Sequence, residues 1–195
     1  MQNFKKIKEY LKTKIVGIAG AGGLGSNCAA SLARTGVGKL IIADFDVVSE
    51  ANLNRQFYFY DQIGMPKVEA LKENIDRINS GTILQIHNTK VDESNIALLF
   101  ASCDVVVEAF DDAFQKKLLI EFMLANMPDK PLVIGSGMAG WGNSGAIKVE
   151  RYNNLYVCGD TSSEVSEDNP PLAPRVQIVS NMQANAVLEI LLNND

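Results

Sequence analysis

The sequence predicts an α/β protein built on a doubly wound, Rossmann-like and mostly parallel sheet, and three observations carry that expectation. Strand-like apolar runs alternate with helical patterns from Lys14 to about Gly135. The runs are continuous rather than alternating, as in strands buried on both faces. The junction between the first strand and the first helix after it carries a glycine-rich turn. With 195 residues the chain suffices for one well-buried domain and falls short of two full α/β domains, so a single domain over 1–195 is expected.

The elements follow in order. KIVGIAG (Lys14 to Gly20) is a β-rich apolar run ending in glycine, and SNCAASLART supplies the small and apolar residues of a helix packed tightly on a sheet. KLIIADFD (Lys39 to Asp46) reads as a second buried strand. PKVEALKENIDRIN sets Val68, Leu71, Ile75 and Ile78 at helical spacing, with Asn79, Ser80 and Gly81 to stop it. ILQIH, a short helical ESNIALLFA, the strand DVVVEAF, a helix from about Ala113 to Asn126 and the strand PLVIGS continue the alternation. The last third changes character. GMAGWGNSG holds four glycines in nine residues, AIKVERY and LYVC read as a hairpin forming an antiparallel C-terminal extension at the sheet edge, and the Pro-rich acidic GDTSSEVSEDNPPLAP reads as a mobile crossover. A closing helix follows with Val179, Met182, Ala186, Val187, Ile190 and Leu191 along one face.

Composition narrows the function. Hydrophobic residues at 47% and charged residues at 21% are ordinary for a soluble globular protein. A net charge of −5 argues against nucleic acid or an anionic membrane surface as partner, so a bound anion must be met by local groups. No apolar run approaches the roughly 18 residues of a membrane span. The start, MQNFKKIKEYLKTK, is basic and amphipathic without the apolar core of a signal peptide, so a cytoplasmic location is expected. Cys28, Cys103 and Cys158 are odd in number, widely spaced and form no CxxC pair, which argues against a disulfide framework or a structural zinc site.

GAGGLG supplies Gly20, Gly22 and Gly25, with Gly23 between them, as G-x-G-x-x-G between strand and helix. Such a turn lets backbone approach a phosphate at the helix N-terminus. Asp44, about 19 residues past Gly25, stands where this fold binds a ribose. The alternative is that the glycines only permit close helix–strand packing. Asp46, Asn52, Arg55, Gln56 and Lys67 then follow, three of them in ANLNRQF, a run without hydrophobic alternation. Two fixed cations plus amide groups beyond the ribose acid suit a triphosphate better than a dinucleotide, because Arg offers a planar fork and Lys a compact charge. The alternative is a solvated loop with Arg55 paired to a carboxylate. Asp111 ends DVVVEAF at the ligand-binding edge of the sheet, where it can hold Mg²⁺ against phosphate oxygens. Alternatively, Asp111 or Asp112 caps the next helix.

GAGGLGSN, GVGKLIIADFDVV, NLNRQ, PKVEAL and the strand-end Asp, in that order over roughly residues 10 to 150, resemble the ThiF/MoeB/HesA family of ubiquitin-activating-enzyme-like adenylyltransferases. The continuation to GD and PPLAPRV resembles the short ThiF-like proteins of thiamine biosynthesis. The resemblance implies an ATP-binding adenylyltransferase domain that uses ATP and Mg²⁺ to adenylylate the C-terminal Gly-Gly tail of a ThiS-like β-grasp sulfur carrier, working as a homodimer; zinc is not expected, because the CxxC pairs of many relatives are missing. By position, Asp44 would hold the ribose with Asp46 as a second acid, Asn52, Arg55 and Lys67 would grip phosphates with Gln56 in support, and Asp111 would bind magnesium. Arg55, Lys67 and Asp111 are thus the expected catalytic set. Three features depart from the family pattern: residues 1–33 hold no Arg where longer members carry one, the zinc-binding CxxC pairs are missing, and the usual Thr-Asp-Asn reads Phe110-Asp111-Asp112. Cys158 falls near the loop where some relatives carry a sulfur-transfer cysteine. Trp141 could line the groove for the carrier tail or pack, Arg175 could cap the last helix or reach a phosphate, Arg34 would support the glycine-turn helix and a subunit contact, and His87, the one histidine, cannot assemble a metal site or a triad by itself. An NAD(P)-dependent oxidoreductase and a non-catalytic scaffold are the rival functions.

Overall fold

In the computed structural model, which describes residues 4–79 and 81–193, the alternation read from the sequence becomes a seven-stranded sheet. The elements are α1 (Phe4–Leu11), β1 (Ile15–Ala19), α2 (Gly23–Thr35), β2 (Lys39–Asp44), α3 (Lys67–Ile78), β3 (Ile83–Asn88), α4 (Ile96–Phe100), β4 (Val105–Glu108), α5 (Ala113–Asn126), β5 (Leu132–Gly135), β6 (Lys148–Tyr152), β7 (Leu155–Gly159) and α6 (Ala173–Leu192). The spatial order is β3-β2-β1-β4-β5-β7-β6. It reverses between β1 and β4, which opens a crevice at the carboxyl ends of the strands.

Side chains alternate across each buried strand, so each face of the sheet carries its own core. Val16 and Ile18 of β1 pack with the buried residues of α2, α3 and α6, while Ala19 packs with those of α4 and α5. Gly17 makes room for α4: a Cβ there would lie 2.6 Å from the ring of the fully buried Phe100. The small residues of α2 (Ala29, Ala30, Ala33) let it lie close to α6, its most extensive helix partner. Gly36 ends α2 in the left-handed region (φ 95°), with its N–H on Ala33 O and Leu32 O. The stop after α3 is made by Asn79, whose Nδ2 donates to Ala33 O at 2.9 Å; Ser80 lies outside the described residues.

The C-terminal hairpin enters the sheet with its second strand inward. β7 lies parallel to β5, and only β6 is antiparallel, at the edge. Burial decides this arrangement: LYVCG of β7 is largely buried, whereas KVERY of β6 is mostly exposed and brings charges suited to an unpaired edge. The crossover from β7 to α6 is tied to the glycine-rich stretch by Gly140 N–H on Pro170 O at 2.9 Å and Ala139 N–H on Ser163 Oγ at 3.2 Å. Among the described residues no helix is long and apolar enough to cross a membrane.

Gly25→Ala would place a Cβ 1.9 Å from the backbone oxygen of Gly20, whereas Gly145→Ala would meet nothing within 4 Å. The first substitution is expected to cost at least about 3 kcal/mol, the upper end of overpacking, and the second less than about 0.5 kcal/mol. Urea denaturation of both variants checks this, and equal midpoints would contradict the packing described.

Candidate functional site

A cleft of about 570 Å³ opens at the carboxyl ends of β1, β2, β4 and β5, floored by the glycine turn. The glycines divide by role. Gly20 has φ 100°, and a Cβ on it would lie 2.8 Å from Ala109 O; Gly25 is held against Gly20 O. At these two positions the packing explanation suffices. Gly22 is different, because the nearest atom to its Cβ position is Gln56 Nε2 at 3.9 Å, so neighbouring packing does not require its bareness. Gly22 precedes α2, and no side chain caps the helix, so the N–H groups of its first turn face an open cleft that Gly20, Gly22 and Gly23 line.

Asp44, almost buried at the end of β2, fixes this turn. Its Oδ2 accepts from Ala21 N–H at 2.6 Å and its Oδ1 from Asp46 N–H at 2.8 Å. The buried Tyr58 hydroxyl donates to Ala21 O at 2.7 Å. Burial first, then the Asp44 and Asp46 charges, push the Tyr58 hydroxyl well above its ordinary range and keep it a donor.

ANLNRQF is a turn rather than a strand, as its lack of alternation implies. Asn52 Oδ1 accepts from Ser49 N–H at 2.9 Å, and Asn52 O receives the N–H groups of Arg55 and Gln56 at 3.2 and 2.9 Å. Asn52 therefore builds the turn and does not line the cleft, while Arg55 and Gln56 do. The Arg55 guanidinium donates to Ala51 O at 3.1 Å and Asn54 Oδ1 at 2.8 Å, both neutral. Among the described residues no carboxylate lies within 4.0 Å of it. The carboxylate pairing considered for Arg55 is thus absent. Gln56 is buried, and its Oε1 has no hydrogen-bond partner among the described residues. Lys67 begins α3 and pairs with Asp46 Oδ2 at 2.7 Å, the lysine buried and the carboxylate half exposed.

Asp111 lies across the cleft with no recorded hydrogen bond or ion pair among the described residues, and its neighbour Asp112 caps α5 by accepting from Gln115 N–H at 2.8 Å. Of the two roles weighed for this pair, the cap thus falls on Asp112, and Asp111 lines the cleft. Asp44, Asp46, Arg55, Gln56, Lys67 and Asp111 meet in one cleft, and Asn52 supports it from behind. An open carboxylate such as Asp111 suits Mg²⁺, which takes one or two carboxylates and completes its shell with water and phosphate oxygens.

Two ion pairs had no local signal in the sequence. Glu108, fully buried at the end of β4, pairs with Lys116 of α5, which lines the cleft and also donates to Gly135 O at 2.9 Å. Burial pushes the Glu108 carboxyl up, and Lys116 and the Phe110 N–H oppose this. Asp160 pairs with Arg175 at the start of α6; both are buried, and Arg175 also donates to Gly142 O. Arg175 is thereby committed to the crossover and neither caps α6 nor reaches into the cleft. Cys158 is buried in β7, where burial pushes its thiol up to about 12; Cys103 behaves likewise and Cys28 lies higher still. Thiols held protonated are poor nucleophiles, contrary to a sulfur-transfer role for Cys158. His87 meets Gln85 on the edge strand, Trp141 is 73% exposed outside the cleft wall, and Arg34 is exposed on α2.

The sheet order, the turn at the end of β1 and the acid at the end of β2 define a doubly wound α/β protein of the Rossmann type with its cleft at the topological switch point. Within that class, residues 3–195 match the model of the ThiF family, and the chain belongs to that family. It is 36% identical over 194 residues to adenylyltransferase and sulfurtransferase MOCS3 of Caenorhabditis briggsae, with 94% of this chain and 47% of that protein covered. It is 33% identical over 195 residues to molybdopterin-synthase adenylyltransferase of Escherichia coli (strain K12), with 94% of this chain and 75% of that protein covered. The chain thus spans about half of the first relative and three quarters of the second. In three dimensions it resembles the tRNA N6-threonylcarbamoyladenosine dehydratase TcdA of E. coli, solved with AMP and with ATP, at TM-score 0.87 and 22% identity, with 97% of this chain and 90% of that one covered. That likeness shows the fold.

Asp160 supplies a pH test. Its burial raises the pKa, but the Ser163 and Ser162 N–H groups, the Ser163 hydroxyl and Arg175 outweigh it and hold the carboxyl at about 2, against roughly 3.9 in an unfolded chain. A depressed folded value stabilises above the unfolded pKa and loses that contribution as pH falls through the folded one. The stability gap between wild type and Asp160→Asn is therefore expected to be full at about pH 5 and to shrink towards pH 2. Urea midpoints over that range check it, and a constant gap would contradict the assignment.

Proposed function

We propose that this chain adenylylates the C-terminal glycine carboxylate of a small ThiS-like β-grasp sulfur carrier ending in Gly-Gly. It would use ATP with Mg²⁺ and release pyrophosphate, in the cytoplasm and in the thiazole branch of thiamine biosynthesis. The observation that carries this reading is the pairing of opposites across the open glycine turn. Arg55 faces the cleft without a carboxylate, and Asp111 faces it without a recorded cation among the described residues. A triphosphate with a divalent ion satisfies both. Membership of the ThiF family and the adenylyltransferase relatives support the reaction class.

Each residue then has a task that follows from its chemistry. Asp44, with both oxygens already on backbone N–H groups, keeps lone pairs for the ribose hydroxyls. The uncapped α2 N-terminus receives phosphate oxygens, and Arg55 spans them with its fork. Lys67, held by Asp46, adds a compact charge, and Gln56 supports the phosphates at the same wall. Asp111 would hold magnesium, which when bound screens the charge of the departing pyrophosphate. The attacking carboxylate is ionised at neutral pH, so no general base is needed. Positioning and charge neutralisation suffice. The exposed apolar side chains of Val47, Phe59, Tyr60 and Ile63 in the β2–α3 connection support a homodimer as the working unit.

The test is ATP–pyrophosphate exchange with labelled pyrophosphate and a ThiS-like carrier. Exchange is expected to need the carrier and to fall at least about 100-fold in Arg55→Ala and in Asp111→Ala, without loss of thermal stability. Gly22→Val is expected to keep the fold and lose nucleotide binding, because its side chain would fill space that only a ligand uses. Tight NADH binding with no exchange from any Gly-Gly carrier would favour the oxidoreductase, and ATP binding without turnover would favour a scaffold.

A further inference from the structure

The pair of buried Glu108 and half-buried Lys116 flanks Asp111 in sequence and ties together the backbone on either side of it. Glu108 is the last residue of β4 and fully buried; one carboxylate oxygen accepts from Phe110 N–H at 2.8 Å and the other is bound by Lys116. Lys116, in the first turns of α5, reaches back over the segment Phe110–Asp112 to Glu108 and donates to Gly135 O at 2.9 Å. Two strand ends and a helix start are therefore stitched around the three residues that carry Asp111. Asp111 itself has no recorded bond among the described residues, so its place depends on this backbone frame.

We propose that Glu108 and Lys116 are positioning residues that brace Asp111 for the divalent ion, an inference that rests on the function proposed above. An isolated buried charge is costly, and a polar or apolar pair would fill the same space. What the ion pair adds is direction: a carboxylate that accepts the Phe110 N–H just past the end of β4, and an ammonium that joins it to the Gly135 carbonyl at the end of β5. The brace acts on the ion through Asp111. Among the described residues neither side chain is hydrogen-bonded to the glycine turn.

The experiment titrates Mg²⁺ against ATP binding by calorimetry, alongside ATP binding in EDTA, for wild type, Lys116→Met, Glu108→Gln, Lys116→Arg and the double variant Glu108→Gln/Lys116→Met. The double variant leaves no buried charge unpaired and guards against misfolding of the single ones. The Mg²⁺ half-saturation is expected to rise about 10-fold to 100-fold in Lys116→Met and in the double variant, the usual effect of losing an outer support of a metal site. Metal-free ATP affinity should change much less than the Mg²⁺ half-saturation, and Lys116→Arg should stay near wild type. Unchanged Mg²⁺ half-saturation in a folded double variant would overturn the brace, as would equal losses with and without metal. A wild type whose ATP binding ignores Mg²⁺ would instead overturn the proposed function.

Discussion

The cleft depends on one carboxylate. Asp44 closes β2 and spends both oxygens on backbone N–H groups, Ala21 in the glycine turn and Asp46 in the next segment. This short-range constraint joins two neighbouring strand ends across the switch point of the sheet. Gly20 N–H on Ala43 O at 2.9 Å and Tyr58 on Ala21 O complete the clamp. With the turn fixed, the N-terminus of α2 can point only into the cleft, and the close contacts of Gly20 and Gly25 hold it there.

Charge is distributed on that frame in a way the net value of −5 does not suggest. Among the described residues three cations line the cleft. Lys67 is matched by Asp46 and Lys116 by Glu108, while Arg55 is left with neutral oxygens. An anion entering the cleft therefore meets one uncompensated charge at a defined place, and Asp111 offers a separate place for its counter-ion. The three thiols, buried and held protonated, fit a chain that in the proposed reaction activates a carboxylate and leaves sulfur delivery to another group.

Much of this was legible in the sequence, for physical reasons. The parallel strands were readable because burial on both faces demands continuous apolar runs, and the turn at Gly20 because its φ of 100° favours glycine. Arg55, Gln56, Lys67 and Asp111 stand where local patterns place them, at a patternless turn, a helix start and a strand end. Asn52 shares the motif but serves the backbone, a difference set by turn geometry that residue type does not encode. The inward place of β7 was hidden because either strand of a hairpin can pair with β5, and burial of LYVCG decides between them. Glu108–Lys116 and Asp160–Arg175 were hidden for a related reason: each pair joins different elements, and folding alone brings the partners together.

The most direct test of the central claim is a crystal structure of the protein with a non-hydrolysable ATP analogue and Mg²⁺. The result expected is a ribose on Asp44, phosphates over the α2 N-terminus within reach of Arg55, and the metal on Asp111. A structure in which Arg55 and Asp111 point into solvent, or in which a nicotinamide dinucleotide fills the same cleft, would contradict it.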